Sequence, residues 1–401
     1  MKKILLLGGS AAQLISIETA KRLGYYTVLC DYLSDNPGQY IADSFYLVST
    51  TDKDAVLKVA KQEKIDGIVA YSSDPAAPTA AYVANAMHLQ GMDYDVVRHF
   101  CEKNLFREFL YKNGFNVPKS VEVSIPYNID LIDVSSLTFP LIVKPTDSSG
   151  SKGITVIEDK RELVDALNYA QEYSRNKTLI IEEFIRRDHP YIIEGEIFVI
   201  DGKVVSWGLI NSIRDENSNP LLPAAYSYPL DMSDERKRIV KSEVSKLVAA
   251  TGNASGAFNI EMIIDKYNRL FFLDAGPRNG GNMLPEYISM ISGKNLVEAT
   301  ILTAMGDVDS FDVELDGDNG GFWGLGVPHS AEKGLYKGIA YSPLAKKCLV
   351  RENIQKRIGD EVRPFERCND LVGLNFFHFE SKKDMDEVMC NMYESMKVEL
   401  L

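Results

Sequence analysis

Phe258-Asn259-Ile260-Glu261-Met262-Ile263-Ile264, followed across a short polar turn by Asp274-Ala275-Gly276-Pro277-Arg278, carries the most structural information in this chain. Apolar residues at 258, 260, 262 and 264 alternate with Asn259 and Glu261, the period of a strand with one face in a core. If Lys266 to Arg269 form the hairpin loop, Ile264 faces Phe271, and the same register sets Glu261 directly opposite Asp274. Two facing carboxylates repel, and one pKa rises unless a cation sits between them. Hard oxygen ligands of this kind suit Mg²⁺ bound together with nucleotide phosphates. Directly behind them the turn presents Arg278, Asn279 and Asn282. Arg278 is placed to neutralise charge developing on a transferred phosphoryl group. The plainer alternative is a solvated arginine in a loop punctuated by Gly-Pro and Gly-Gly.

Upstream, Thr178-Leu179-Ile180-Ile181-Glu182-Glu183-Phe184-Ile185 is an apolar strand ending in two acids and two apolar residues. Such a segment seats a purine, backbone groups reading its edge and side chains covering its face, or else it is a solvated strand edge. Glu194 and Glu196 follow; two apart in a strand they point to one side, where either accepts hydrogen bonds from ribose hydroxyls. Earlier still, Phe139 to Pro145 reads as a buried strand delivering Lys144. Asp147-Ser148-Ser149-Gly150-Ser151-Lys152-Gly153 comes next, and then a strand from Ile154 to Ile157. A Ser/Gly loop between two strands folds a flap whose N–H and hydroxyl groups surround phosphate oxygens, or is simply a flexible hairpin. It is not a Walker loop, since G-x-x-x-x-G-K-[ST] is absent and a strand follows instead of a helix.

Residues 1 to about 100 alternate strands (Lys3 to Leu7, Tyr26 to Cys30, Ser44 to Val48, Gly67 to Ala70) with helices (Leu14 to Leu23, Lys53 to Glu63), a parallel α/β pattern. Gly8-Gly9-Ser10 after the first strand invites a dinucleotide reading, yet the later glycines of G-x-G-x-x-G are missing. What remains is a tight turn whose helix N-terminus either faces the molecule as an anion site or is only structural. From about 101 an α+β region begins with a helix from Lys103 to Asn113. After about 306, strands over Phe322 to Val327, Gly338 to Tyr341 and Leu374 to Glu380, closed by a helix from Lys382 to Met396, read as a small C-terminal α+β domain.

Composition narrows the function. The chain has 401 residues, 45% hydrophobic and 25% charged, with a formal net charge of −13. With no basic run, this charge argues against a nucleic-acid partner. No stretch reaches the roughly 18 apolar residues of a membrane span. The five cysteines, Cys30, Cys101, Cys348, Cys368 and Cys390, are scattered without metal-ligand spacing, which fits a reduced cytoplasm. No Ser-His-Asp or zinc spacing exists among the dispersed histidines.

Taken in order, these motifs resemble the ATP-grasp superfamily, specifically its carboxylate–amine ligases with an N-terminal α/β domain, over essentially the whole chain. The helix opening Glu102-Lys103-Asn104-Leu105-Phe106-Arg107 is similar to the family's lysine-bearing start. Lys144, the 147 to 153 loop and Glu182 to Ile185 fall where its second lysine, flap and hinge would. The resemblance implies an N-terminal domain over 1–100, an ATP-grasp domain over 101–305 with a flap subdomain at about 118–185, and a C-terminal domain over 306–401. It implies that Glu261 and Asp274 hold Mg²⁺, with Mn²⁺ as a substitute, and that Lys103 and Lys144 neutralise the ATP phosphates under Ser148, Ser149, Gly150, Ser151 and Gly153. Glu182, Glu183, Phe184 and Ile185 would seat adenine, with Glu194 or Glu196 at the ribose, and Arg278, Lys144 and Asn282 would act on the reacting groups. A carboxylate would become an acyl phosphate and be captured by an amine, joining amino acids or dipeptides or aminoacylating a sugar; a homodimer is the family-level expectation. The family's metal motif is Glu-x-Asn-Pro-Arg, so Asp274 shortens the reach of the acid and Gly276 removes an amide, leaving water or Asn282 to substitute. Asp74 and Arg214, the latter read as lying in a loop from 211 to 229, are candidates for holding a substrate amine and carboxylate, or are ordinary surface charges. A phosphotransferase using the same ATP residues, and a silent ATP-binding module, are the competing classes.

Overall fold

The computed structural model describes residues 1–216, 218–307 and 321–401. Its N-terminal sheet is parallel throughout, in the order Ser44–Leu47, Tyr26–Asp31, Lys3–Leu7, Gly67–Val69. Ile4, Leu5, Leu6 and Leu7 are buried on both faces of the first strand, which is why it reads as a continuous apolar run instead of an alternation. One face packs on helices Lys53–Glu63 and Ala77–Met87, the other on Leu14–Arg22 and Leu296–Ala304. The last of these lies more than two hundred residues further along the chain. The N-terminal unit therefore shares its core with the central one.

A four-stranded sheet in the order Ser120–Ser124, Thr178–Glu183, Leu141–Pro145, Thr155–Ile157 forms the flap region, backed by the helix Leu163–Gln171 over its own small core. The largest sheet has eight strands, in the order Leu270–Gly276, Gly256–Ile264, Ile192–Ile200, Lys203–Arg214, Pro223–Tyr228, Phe322–Gly326, Gly373–Phe379, Leu349–Ile354. Its last three strands come from beyond residue 306, and two of them, Phe322–Gly326 and Gly373–Phe379, share a core with Tyr226, Leu284 and Tyr287. The segment expected as a separate C-terminal domain therefore extends this sheet, and residues 308–320 at its head lie outside the described residues.

Local expectations hold with three corrections. The closing helix stops at Cys390; after Asn391 a short turn of helix, Met392–Ser395, gives way to the strand Met396–Leu400, which pairs with Gly334–Tyr341 and buries Met396. Arg214 ends the long strand Lys203–Arg214 instead of lying in a loop, and Pro223–Tyr228 is its antiparallel partner; Asn217, in the connection, lies outside the described residues. In the key hairpin Ile264 faces Leu270, not Phe271, yet Glu261 still faces Asp274. A bulge between Glu261 and Met262 restores the offset, which a count from the turn does not foresee.

Gly195 is the tightest crossing in the large sheet. It has φ +145, and a Cβ there would lie 2.0 Å from the carbonyl oxygen of Gly208 on the adjacent strand. Gly252, with φ +76, has nothing within 4 Å. Gly252→Ala is expected to cost only left-handed strain, roughly 1–2 kcal/mol, whereas Gly195→Ala must also push apart a pair of hydrogen-bonded strands. Thermal unfolding should show at least about twice the midpoint loss for Gly195→Ala, with Gly252→Ala near 2–8 °C. Equal losses would contradict this packing.

Candidate active site

The three units meet around one cavity of about 1260 Å³, lined from the flap, the large sheet, the N-terminal turn and the C-terminal strands. Lys103 begins the helix Lys103–Lys112: its N–H donates to Thr146 O (2.8 Å) and its Nζ donates to Ser148 O (2.9 Å). The helix start is thereby tied to the Ser/Gly loop. One turn later, on the same face, Arg107 Nε donates to Glu182 Oε1 (2.6 Å), while Lys144 Nζ donates to Glu182 Oε2 (2.6 Å). Burial alone would raise the Glu182 carboxyl, but the charges of Arg107 and Lys144 outweigh it and hold the pKa at about 2. Arg107 also donates to the carbonyls of Phe272 and Leu273, binding this cluster to the metal hairpin.

At the expected hinge the Glu182 carboxylate is engaged by two cations and orients Lys144, while the residue lines the cavity. Glu183 accepts from Thr138 N (3.0 Å), and Phe184 N donates to Pro140 O (2.9 Å). Phe184 and Ile185 join Ile142, Ile263 and Phe271 in an apolar wall suited to a flat ring. His189 borders it; burial first, then the charges of Arg236 and Arg187, press its pKa down to about 4 and keep it neutral. In the loop, Ser148, Ser149, Gly150 and Ser151 line the cavity, with Ser151 Oγ bonded to Leu221 O (3.1 Å). Gly153 does not line it: at φ +74 it turns the chain beneath Pro145 and Tyr173.

Glu194, Glu261 and Asp274 stand side by side on three neighbouring strands. Arg214 Nη2 lies 3.5 Å from Glu194 and 3.6 Å from Glu261, and Lys103 Nζ lies 3.5 Å from Asp274. Glu194 is buried, and burial followed by the neighbouring Glu261 charge lifts its pKa to about 7. Glu194 stands in the acid row beside Arg214 and Tyr226, and it also lines the cavity with its Oε2 free of hydrogen bonds among the described residues. Glu196 is corrected: it is fully buried, lies off the cavity, and accepts from Asn279 Nδ2 (3.0 Å) and Gly280 N (2.7 Å), fixing the loop behind Arg278. Arg214 itself lines the cavity with its side chain buried between two carboxylates and its Nε free of hydrogen bonds among the described residues.

Glu261 and Asp274 fit a divalent cation. Their side chains are 31% and 44% exposed toward the cavity, both supply hard oxygens, and each is only loosely held by its cationic neighbour. Mg²⁺ takes one or two carboxylates and completes its shell with water and phosphate oxygens, so the lack of a three-residue metal cluster among the described residues is compatible with it.

Arg278 forks onto Asp74 from the N-terminal unit, Nε to Oδ1 at 2.7 Å and Nη2 to Oδ2 at 2.8 Å, and its Nη1 reaches Asn259 and Asn279 O. A Cβ at Gly276 would fall 2.8 Å from Asp74 Oδ1. Glycine at 276 is what leaves room for this pair. Asp74 is thus committed to Arg278 instead of standing open to an amine. Asn282, left-handed at φ +50, lines the cavity and donates to Tyr226 OH (3.0 Å). Sequence reading missed Arg107, whose i, i+4 spacing from Lys103 was a usable signal.

Residues 102–308 match the family model described as carbamoyl-phosphate synthase L chain, ATP binding domain. A formate-dependent phosphoribosylglycinamide formyltransferase of Prochlorococcus marinus subsp. pastoris is 26% identical over 290 residues, 69% of this chain and 70% of that protein. The fold matches an L-amino acid ligase from Bacillus licheniformis (TM-score 0.81, 20% identity, 100% of this chain and 99% of that one). It also matches a phosphoribosylglycinamide synthetase from Anaerococcus prevotii (TM-score 0.76, 23% identity, 100% of both chains).

Arg107→Met leaves the buried Glu182 with one cation in place of two. Breaking such a pair costs roughly 3–5 kcal/mol, so the thermal midpoint should fall by several degrees and calorimetric ATP affinity by more than about tenfold. A variant with wild-type midpoint and affinity would show that the clamp orients nothing.

Proposed function

This chain belongs to the carbamoyl-phosphate synthase L chain ATP-binding-domain family, a branch of the ATP-grasp enzymes, and on that premise we propose that it is an ATP- and Mg²⁺-dependent carboxylate–amine ligase. The single observation that carries the reading is the acid row on the large sheet, Glu261 facing Asp274, with Lys103 tied to the Ser/Gly loop and Lys144 held by Glu182 in the same cavity. Adenine would lie against Phe184, Ile185, Ile142 and Phe271, with Lys103 and Lys144 facing the phosphates beside Ser148 to Ser151. Glu261 and Asp274 would hold Mg²⁺, which when bound supplies charge neutralisation.

The chemistry that these residues serve is positioning and electrostatic stabilisation. A substrate carboxylate oxygen attacks the γ-phosphorus, the bond to ADP breaks, and the resulting acyl phosphate is captured by an amine with release of phosphate. Arg278, fixed by Asp74 and Asn259, offsets negative charge on the reacting phosphoryl oxygens, and Asn282 faces the same space. The flap keeps water from the acyl phosphate. No protein nucleophile is required. The substrates are a small carboxylate and an amine of the amino-acid, dipeptide or sugar-amine kind. A homodimer goes with the family, and a reduced, cytoplasmic setting accords with five free cysteines.

Glu261→Gln keeps the size of the side chain and removes one metal-directed charge. ADP release from Mg·ATP with a panel of carboxylates and amines should need both Mg²⁺ and a carboxylate, and should fall at least about 100-fold in kcat in this variant. Carboxylate-dependent ADP release that survives chelation of Mg²⁺, or that is unchanged in Glu261→Gln, would contradict the assignment.

A further inference from the structure

The strand Lys203–Arg214 ends at the acid row, and the residues that follow it meet the Ser/Gly loop. We propose that the carbonyl of Leu221 is the latch on which this loop closes, and that Asp215, His329 and Tyr393 are positioning residues that hold the latch from the C-terminal part of the chain. The proposal rests on the ligase reading above and deepens it, since a closed loop is what keeps water from the acyl phosphate.

The latch is one acceptor with two donors. Ser151 Oγ donates to Leu221 O (3.1 Å), and Arg214 Nη1 donates to the same oxygen (3.2 Å). Ser151 is left-handed at φ +56, a conformation that persists in a residue with a Cβ only where surrounding contacts hold it. At the neighbouring Gly150 a Cβ would stand 3.5 Å from Cys368 Sγ, an ordinary van der Waals distance, so the loop also rests against that thiol. One oxygen therefore sets both the loop and the arginine that stands between Glu194 and Glu261.

Leu221 is in turn held from outside the cavity. Leu221 N donates to Asn219 Oδ1 (3.0 Å) and Leu222 N to Asn219 O (3.0 Å), closing a turn. Ser218 Oγ donates to Phe365 O (2.9 Å) and Asn219 Nδ2 to Glu366 O (3.3 Å), and Leu222 is fully buried in the core that holds Phe365 and Leu371. At the head of the connection the Asp215 side chain, 9% exposed, sets one oxygen against two groups far along the chain: Tyr393 OH donates to Oδ2 (2.6 Å), and His329 Nε2 lies 3.1 Å from it. The His329 ring is stacked on Phe365 at 4.2 Å and meets Tyr393 edge-on at 5.3 Å. A buried carboxylate held this way resists displacement, because a shift strips the charge of its partners. None of these three residues borders the cavity. They act on it through Arg214, next to Asp215 in the chain, and through Leu221.

The test uses the full chain and reads the loop through Cys368. Alkylation by N-ethylmaleimide is followed by mass spectrometry in the presence of Mg²⁺ and a non-hydrolysable ATP analogue, with the exposed Cys390 as reference thiol. Ser151→Ala keeps the left-handed backbone and removes only the hydroxyl. Asp215→Asn removes the remote charge, and Tyr393→Phe, which loses one hydroxyl, replaces it if that variant does not fold. Each should label Cys368 about 3- to 10-fold faster than the wild type, the worth of one hydrogen bond. The double variant should label no faster than the faster single, because both changes act on one latch. Calorimetric affinity for the analogue should fall by a similar factor, while the thermal midpoint of Ser151→Ala stays within about 2 °C. Unchanged labelling in Ser151→Ala would overturn the latch, and effects that multiply in the double variant would overturn the positioning role. Neither readout needs turnover. Faster labelling in a protein without carboxylate-dependent ADP release would uphold the latch and sink the ligase reading, whereas carboxylate-dependent release with unchanged labelling would sink the latch alone.

Discussion

Three carboxylates on adjacent strands, Glu194, Glu261 and Asp274, impose the condition that the rest of this molecule answers. Like charges facing one another on a sheet are unfavourable, and burial makes the case worse for Glu194. Positive charge arrives from separate directions: Arg214 from the neighbouring strand, Lys103 from the start of a helix in the second unit. The two acids nearest the cavity remain partly exposed and weakly paired, which is the state in which a divalent cation with its phosphates completes them.

That demand also explains why the units are locked together. Lys103 holds Ser148 O and approaches Asp274, while Arg107, one turn away, spans Glu182 of the flap sheet and the Phe272 and Leu273 carbonyls of the metal hairpin. One helix therefore sets the distance between flap and acid row. On the other side Arg278 reaches to Asp74 of the N-terminal unit through space that Gly276 vacates. A side chain at 276 would press on Asp74 Oδ1, so the glycine there and the interdomain ion pair go together.

Periodicity and turn chemistry made most of the fold legible. The parallel N-terminal strands and the strand ending in Lys144 follow from alternation and turn signals. The facing of Glu261 and Asp274 depends on the bulge at Glu261 and Met262, which offsets a register one residue away from the one that loop length gives, and nothing local marks the skipped residue. The strand at 396–400 was hidden because Met392 to Met396 reads equally as helix, and only the partner strand Gly334–Tyr341 decides it. In the site, residues with a one-dimensional signal, such as the Ser/Gly loop and Arg278, were legible as candidates. What spacing does not show is side-chain destination: Glu182, Glu194, Glu196 and Asp74 are each engaged by residues distant in sequence, Arg107, Arg214, Asn279 and Arg278. Burial and partner choice are tertiary facts, and spacing along one strand carries neither.

Transfer of a carboxylate oxygen to phosphate tests the central claim most directly. With the carboxylate substrate labelled with ¹⁸O in unlabelled water, an acyl-phosphate route leaves one labelled oxygen in each phosphate released, read by mass spectrometry. That result is expected here. Phosphate that carries no label, with ADP formed at the same rate, would show that water and not the carboxylate attacks the γ-phosphorus, and the ligase account would fall.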